Sequence, residues 1–374
     1  MDDTLLAACR WYAEDLRYRT PILRNPRLIE AFASVPREQF VGPGPWRIIS
    51  DPYADDAFLT PDVDPRWLYH DVLVTIDASR NLNNGMPGFW ARNFERLDIT
   101  RGERVLQVGA GTGYYSAVLA ELVGPAGRVT AVETDPALAA QARANVANWP
   151  QINVISGDGR TVDIGELDIV IVFAGSTHPS RLWLDRLADG GRFLMPLTSE
   201  SWRGFLLRVV RHGDRLEASS IGSVAIYPCV GGRDEEAGKR LHGALEGLPL
   251  GKVPIRALHV GDPRSDDAEK IWFRAPGFWL ERDATEKKQC ELSHSTARLT
   301  RTSNRKNGPI LGLRWWLEAL KSAWKRVSSA GSCGRLESHI ASNWLRRDLG
   351  LTEDDVPSHS ERIGEIRRKH GVWP

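Results

Sequence analysis

The chain has 374 residues, a net charge of +1 and four cysteines, and these values exclude several classes of protein. The length allows two to three domains of about 150 residues each. The scattered cysteines form no C-x-x-C pair and the histidines show no metal-ligand spacing, so neither a disulfide framework nor a metal site is expected. No run of about 18 apolar residues occurs, as a membrane span would need. We therefore expect a soluble, cytoplasmic protein.

Two helices are predicted near the start of the chain, over Thr4–Tyr18 and Pro26–Val35. In the second, apolar residues recur at intervals of three and four, as a helix with one buried face requires. Residues 41–75 are rich in Pro, Gly and Asp and are predicted to be a loop. A third helix is predicted over Pro87–Leu97, with its proline where the missing N–H costs nothing. Residues 1–100 thus form a helical region that also carries the loop before this helix.

A glycine-rich turn follows the first strand predicted in the centre of the chain. The apolar run Val105–Val108 leads into G-x-G-x-G at residues 109–113, and a second apolar run ends at Glu133. Glycines let the backbone turn tightly and let a ligand approach main-chain N–H groups. An acid at the tip of the second strand can accept from both hydroxyls of a ribose. This order is typical of a nucleotide pocket in a doubly wound α/β sheet, for a dinucleotide or for S-adenosyl-L-methionine (SAM).

Two features favour SAM over a dinucleotide. The glycines are spaced G-x-G-x-G, whereas dinucleotide sites use G-x-G-x-x-G. A third apolar strand, residues 152–156, runs into Gly-Asp-Gly, where the acid can accept from the adenine amino group. The predicted cofactor-binding residues are Gly109, Ala110, Gly111, Gly113, Tyr114, Glu133, Thr134, Asp158 and Gly159.

Further strands and helices are predicted as far as residue 283. They are a strand at Leu167–Phe173, a helix at Pro179–Leu187, a strand at Arg192–Leu197, an antiparallel pair at Phe205–Arg211 and Ile221–Tyr227, a helix at Glu235–Leu245, and short strands at Val253–Val260, Lys270–Phe273 and Phe278–Glu281. We assign residues 101–232 to a SAM-binding α/β domain and residues 233–283 to an α+β extension.

The last part of the chain differs in composition from the rest. Residues 284–309 are polar, with few large apolar groups, and are predicted to be a linker. Residues 310–374 form a predicted basic helical tail, since residues 281–374 hold 18 Lys or Arg and only 12 Asp or Glu. Such a charge difference indicates a separate module.

Four segments resemble the protein-L-isoaspartate O-methyltransferase family. Residues 31–41, AFASVPREQFV, are similar to its V-P-R-E-x-F-V signature, and the glycine turn resembles its first SAM motif. Residues 190–197, GGRFLMPL, are similar to its G-G-x-L-V-x-P-V strand, and residues 225–232, AIYPCVGG, resemble its F-x-P-L-x-G strand. The resemblance implies a Rossmann-like, seven-stranded methyltransferase sheet. It also implies methyl-esterification of a carboxylate on a protein or peptide.

One loop departs from the family pattern. The family carries G-x-G-Q-T-I-S-Q-P, whose serine helps to hold the substrate carboxylate. Here residues 81–87 read NLNNGMP, so Gly85 stands in the place of that serine. A carboxylate acceptor is ionised at neutral pH, because its pKa is about 3.9, and it needs donors rather than a base. Asn83, Asn84 and Gly85 are the predicted catalytic residues, supplying amide and backbone N–H groups, although Asn-Asn-Gly is also a turn sequence.

Three other polar residues have two possible roles each. Asp71 and Asp77 would take a proton from an amine acceptor, or would simply cap and turn the loop. His178 follows the fourth strand at the edge where ligands bind in such sheets. It either lines the acceptor site or is an ordinary loop residue.

The tail has a resemblance of its own. Residues 344–356, WLRRDLGLTEDDV, with the basic residues 314–326 before them, resemble the short arginine-rich YjiS-like domain. This implies weak contact with nucleic acid or an anionic surface, and a solvated helical hairpin is the alternative.

Three hypotheses about function follow. The first is a SAM-dependent methyltransferase that esterifies a carboxylate on a protein or peptide. The second is the same fold acting on an amine or a small molecule. The third is a SAM-binding partner protein without catalysis, whose basic tail is the working surface.

Overall fold

The computed structural model describes residues 3–20, 22–50, 57–162, 164–201, 203–249 and 251–284. The linker and basic tail predicted beyond residue 284 lie outside this range. Within the described residues, no helix is long and apolar enough to cross a membrane.

The described part of the chain holds seven α-helices. They are α1 (Asp3–Arg19), α2 (Pro26–Ser34), α3 (Pro87–Leu97), α4 (Tyr114–Val123), α5 (Pro136–Asn145), α6 (Arg181–Asp185) and α7 (Glu235–Leu245). The bounds of α3 and α7 confirm the predictions to the residue. The helix expected over Pro179–Leu187 is shorter, because its last turn is replaced by the start of a long strand at Leu187.

Fourteen strands occur in the same residues. They are β1 (Arg47–Ile49), β2 (Phe58–Leu59), β3 (Leu73–Asp77), β4 (Leu82–Asn83), β5 (Arg104–Val108), β6 (Arg128–Glu133), β7 (Ile152–Ser156), β8 (Leu167–Val172), β9 (Leu187–Thr198), β10 (Arg203–His212), β11 (Arg215–Ala225), β12 (Ile255–Val260), β13 (Ile271–Ala275) and β14 (Phe278–Arg282).

Ten of these strands form one mixed sheet in the order β13-β14-β12-β11-β10-β9-β8-β5-β6-β7. Strands β5 to β9 pair in parallel, and the others pair antiparallel. The chain leaves β5 towards β7 on one side and returns to β8 on the other. Ligands bind at the carboxyl ends of strands where the order reverses in this way.

The α/β fold class is confirmed, but the sheet is larger than the seven strands expected. The excess comes from residues 233–283, the predicted α+β extension. Strand β12 pairs with β11, so β12, β14 and β13 continue the same sheet beyond the closing antiparallel pair. Short apolar runs predict a strand but not its neighbour, which is why this continuation was not foreseen.

Both faces of the central sheet are buried, and successive residues of each strand enter opposite cores. On β8, Ile169 and Ile171 pack under the N-terminal helices, whereas Val170 and Val172 pack with α6 and α7. Alternation between two buried faces produces the continuous apolar runs from which these strands were predicted.

The prediction of a loop over residues 41–75 was wrong in part. Strands β1, β2 and the start of β3 occur there, and with β4 they form a four-stranded sheet in the order β2-β1-β3-β4. Its strands have only two to five residues, and the Pro, Gly and Asp content belongs to the turns between them. The sheet is held by burial of Ile48 and Val74 against Trp46 and Leu68, which lie far apart in sequence.

Candidate active site

The glycine turn, residues 109–113, joins the end of β5 to the start of α4. The N–H groups of Gly109 and Ala110 both donate to the carbonyl of Val132 on β6, at 2.8 and 3.1 Å. All three glycines of the turn have positive φ, which an L side chain rarely adopts. A Cβ on Gly111 would meet no atom of the described residues within 4 Å. The backbone therefore shapes the turn, and its open side is at Gly111.

Glu133, at the end of β6, presents its carboxylate to this turn. Its Oε2 accepts from the N–H of Gly111 at 2.8 Å, and its Oε1 accepts from the N–H of Asp135 at 3.1 Å and from Oγ1 of Thr134 at 3.4 Å. Only 8% of Glu133 is exposed. A carboxylate has about four acceptor sites, so Glu133 can hold the turn and also accept from a ligand.

Asp158 lies at the same edge of the sheet as Glu133. It follows β7, which pairs in parallel with β6, and the N–H of Gly157 donates to the carbonyl of Glu133 at 2.9 Å. Arg160 donates to both oxygens of Asp158, most closely at 2.7 Å, and these bonds lower the pKa of that carboxyl. Arg160 was not predicted, although a cation two residues after the acid was a usable signal. It keeps Asp158 ionised beside the turn.

Two of the predicted cofactor-binding residues are engaged elsewhere. The carbonyl of Gly159 accepts from Nε1 of Trp183 at 2.7 Å, and a Cβ on Gly159 would come within 2.8 Å of Val108. The Tyr114 side chain is 2% exposed, and its hydroxyl lies 3.1 Å from that of Tyr12 on α1. Gly159 is thus a close-packing position, and Tyr114 reaches the turn through its backbone alone.

The closing segment, residues 225–232, also reaches this edge. The N–H of Cys229 donates to the carbonyl of Gly175, just after β8, at 2.8 Å. Burial raises the pKa of the Cys229 thiol, and the positive charge of Arg160 opposes this effect. Arg160, which pairs with Asp158, also donates to the carbonyl of Gly231, so the closing segment lies beside Asp158.

The acceptor loop, residues 81–87, contacts the closing segment through Asn83. Nδ2 of Asn83 donates to the hydroxyl of Tyr227 at 3.1 Å, and Oδ1 accepts from the N–H of Gly85 at 2.9 Å. Gly85 has a φ of +76°, so Asn-Asn-Gly does form a turn. The second N–H of Asn83 Nδ2 makes no hydrogen bond with the described residues.

Asn84 is buried and anchors the loop from below. Its Oδ1 accepts from the N–H of Val74 at 3.2 Å and from Nη2 of Arg37 at 3.2 Å. Arg37 is fully buried and was not predicted as part of the site. Its guanidinium also donates, at 2.6–2.8 Å, to the carbonyls of Leu68, His70 and Val72. The V-P-R-E segment thereby fixes the position of the acceptor loop.

The comparisons with known proteins agree with this geometry. Residues 14–234 match the family model described as Protein-L-isoaspartate(D-aspartate) O-methyltransferase. The chain belongs to this family. It is therefore a SAM-dependent methyltransferase, as predicted.

Individual members of the family show how far the likeness extends. The protein-L-isoaspartate O-methyltransferase of Aeropyrum pernix is 35% identical over 189 residues, which are 49% of this chain and 64% of the relative. That of Methanothrix thermoacetophila is 32% identical over 217 residues, or 56% of this chain and 91% of the relative. A solved protein-L-isoaspartate O-methyltransferase has a TM-score of 0.51, with 19% identity, over 75% of this chain and 89% of its own, and supports the fold alone.

The described residues fit SAM at the glycine turn. The open side at Gly111 adjoins the Glu133 carboxylate, and Asp158 lies at the end of the next strand. A carboxylate can accept from ribose hydroxyls or an adenine amino group, and the turn leaves space for a ligand against the backbone.

The acceptor loop departs from the family most strongly at Gly85. A Cβ there would lie 2.9 Å from Nε1 of Trp90 and 3.1 Å from Cε2 of Tyr115. Trp90 in turn stacks on Phe173, just after β8, with 3.6 Å between ring centroids and 20° between planes. Aromatic side chains therefore fill the space around the position of the family serine.

Two roles were considered for Asp71 and Asp77, proton transfer and loop structure. The contacts of both residues fit loop structure. Oδ1 of Asp71 accepts from the N–H of Gly88 at 2.6 Å, in the first turn of α3. Asp77 accepts from Ser79 and Arg80, and these side-chain hydrogen bonds lower its pKa to about 2. One acid caps a helix and the other forms a turn.

His178 is half-buried at the carboxyl edge. Its Nδ1 lies 3.0 Å from Oγ1 of Thr177, and burial lowers the pKa of the imidazole below its usual value. The ring is therefore neutral at pH 7, and a neutral imidazole can line a polar site without adding charge.

Proposed function

We propose that this chain transfers the methyl group of SAM to a carboxylate of a protein substrate, with an isoaspartyl residue as acceptor. The observation that carries the proposal is the position of Asn83. Its amide joins the acceptor loop to Tyr227 of the closing segment, at the edge where Glu133 and Asp158 lie. A hydrogen-bond donor for the substrate carboxylate and two acids for the nucleoside of SAM thus occur at one edge of the sheet.

For the cofactor, we assign the ribose hydroxyls to Glu133 and the adenine amino group to Asp158. Gly111 gives the ligand access to the turn, while Gly109 and Ala110 hold the turn against β6. Gly113, Tyr114, Thr134 and Gly159 support this pocket through backbone conformation and close packing.

The reaction needs placement more than proton transfer. SAM supplies a methyl group on a sulfonium, so an acceptor oxygen forms the new O–C bond as the S–C bond breaks. A carboxylate with a pKa of about 3.9 is ionised at pH 7 and needs no base. The contribution of the chain is to align that oxygen with the methyl group and to exclude water.

We assign the alignment of the carboxylate to Asn83 rather than to position 85. A side chain at position 85 would collide with Trp90, whereas the second N–H of Asn83 Nδ2 is unused. The backbone N–H of Gly85 is already donated to Asn83 Oδ1, so the amide of Asn83 is the donor that faces the acceptor. Asn84 supports the loop through Arg37.

The test is methyl transfer from labelled SAM to a matched pair of peptides, one with isoaspartate and one with aspartate. Base-labile label on the isoaspartyl peptide alone supports the proposal, because esters hydrolyse in mild base. Label that survives base shows an amine acceptor. Binding of S-adenosylhomocysteine without turnover on any substrate, including total lysate, shows a non-catalytic SAM-binding protein and contradicts the proposal.

A further inference from the structure

A cavity of about 490 Å³, wide open to solvent, lies between α3 and the antiparallel part of the sheet. Its lining combines two basic side chains with a short stretch of β11: Arg96, Arg208, Ser220, Ile221 and Gly222. Arg96 is nine residues after Pro87, so the cavity is about 14 Å along the helix axis from the acceptor loop at 1.5 Å per residue. The proposed function uses none of these residues.

A β-bulge forms one wall of the cavity. In the pairing of β10 with β11, Phe205 faces Ser223 but Leu207 faces Ser220, so two residues of β11 oppose one of β10. The two are Ile221 and Gly222, and Arg96 donates to the carbonyl of Ile221. Bulges of this kind redirect the chain and leave a residue outside the regular ladder. Here the bulge opens the sheet beside both arginines.

Arg208 contributes a guanidinium with no partner among the described residues. Its side chain is half-buried and makes no hydrogen bond or ion pair within the described part of the chain, and its Nε is a buried donor without an acceptor. Burial lowers the pKa of Arg208, and the charge of Arg192 lowers it further, while Glu217 opposes this effect. Burial also lowers the pKa of Arg96. A buried donor without an acceptor costs free energy, and an anion in the cavity would supply acceptors to the Arg208 guanidinium.

We propose that this cavity, the arginine cavity, binds a small oxyanion of the phosphate or carboxylate class. A guanidinium presents N–H groups in a planar fork that matches two oxygens of such a group. The guanidinium of Arg208 has unused N–H donors. Arg96 reaches the cavity from α3, with its Nη1 hydrogen-bonded to the carbonyl of Ile221 in the bulge. Two cations from different elements thus face one cavity.

The test is calorimetric titration of the full chain with inorganic phosphate and, separately, succinate, at constant ionic strength. Saturable binding is expected for at least one, and the tighter of the two identifies the oxyanion. Arg208→Gln should weaken it about tenfold or more, because hydrogen bonds to charged groups are strong. Arg208→Lys keeps the positive charge but lacks the planar guanidinium, so it should also bind the anion more weakly. This variant replaces Arg208→Gln in the test if Arg208→Gln does not fold.

Arg215→Gln is the matched control, because it removes the same charge from an exposed position on β11. It should leave the Kd unchanged, as should saturating S-adenosylhomocysteine, since the glycine turn is a different site. Absence of binding of either anion, equal losses in Arg208→Gln and Arg215→Gln, or competition with S-adenosylhomocysteine would overturn the proposal.

Discussion

The glycine turn and the acceptor loop lie near the same edge of one sheet but are held in different ways. Every contact that holds the turn is made to its main chain: Gly109 and Ala110 hydrogen-bond to β6, and the side chains of Glu133 and Asn145 bond the main chain of Gly111 and Thr112. The loop is fixed by side chains from distant segments, through Arg37 and Tyr227. A turn held through its main chain keeps its shape when its own side chains are substituted. A loop held through its side chains takes on different chemistry when those side chains are substituted.

The largest effect is expected from Glu133→Ala, which removes a side chain that holds the turn and faces its open side. The N–H of Gly111 loses its acceptor and the ligand loses a carboxylate, so the Kd for S-adenosylhomocysteine should rise about 100-fold. Glu133→Gln, which keeps an acceptor for Gly111, should lie between this variant and the wild type in a calorimetric titration.

Glu166→Gln is the control, because Glu166 is an exposed acid paired with Arg104, far along the chain from the turn. It should leave the Kd unchanged. An unchanged Kd in Glu133→Ala would mean that the backbone alone holds the cofactor.

Two neighbouring asparagines should separate catalysis from stability. Asn84→Ala leaves the buried N–H of Val74 and a guanidinium N–H of Arg37 without an acceptor, so unfolding in urea should become easier by about 1–3 kcal/mol. Asn83→Ala should lower kcat/KM for an isoaspartyl peptide about tenfold, with little change in stability or in S-adenosylhomocysteine binding. The reverse pattern would exchange the roles assigned to the two residues.

Restoring the serine of the family at position 85 should be harmful here. Gly85→Ser places a Cβ at positive φ, 2.9 Å from Nε1 of Trp90, and should destabilise the fold by about 1–3 kcal/mol. Gly85→Ala is the matched control, because it adds the strained Cβ without the hydroxyl. Both variants should lose stability equally in urea unfolding. A gain of activity in Gly85→Ser alone would show that the serine position is still open to substrate.

The smallest effect is expected at His178. Its pKa is lowered in the folded chain by burial, so the unfolded chain takes up the proton first as the pH falls. The contribution of His178 is thus complete above about pH 6.5, the ordinary histidine pKa, and is lost as the pH falls towards the folded pKa. His178→Gln should flatten the dependence of Tm on pH below about pH 6.5. An unchanged slope would show that another group causes it.

Local signals in the sequence predicted the parts of the site that local physics determines. Pro87 at the first position of α3 and the glycines before Tyr114 each constrain the backbone within a few residues, and those elements were predicted correctly. The contact between Arg37 and Asn84 joins residues 47 positions apart and leaves no local pattern. The same holds for the short strands β1 to β3, whose stability comes from mutual burial.

The placement of the acceptor loop could be predicted only in outline. Asn-Asn-Gly indicated a turn, and the turn is present. Its functional detail depends on Trp90 and Phe173, whose stacking occupies the space beside Gly85. An aromatic residue inside an amphipathic helix indicates burial but not which partner it meets, so the closed serine position was visible only in the structure.

A crystal structure of the chain with S-adenosylhomocysteine and an isoaspartyl peptide tests the division between turn and loop most directly. We predict the ribose hydroxyls on Glu133, the adenine amino group near Asp158, and the isoaspartyl carboxylate within hydrogen-bond distance of Asn83 Nδ2. A nucleoside bound away from the glycine turn, or a carboxylate held by residues other than Asn83, would contradict it.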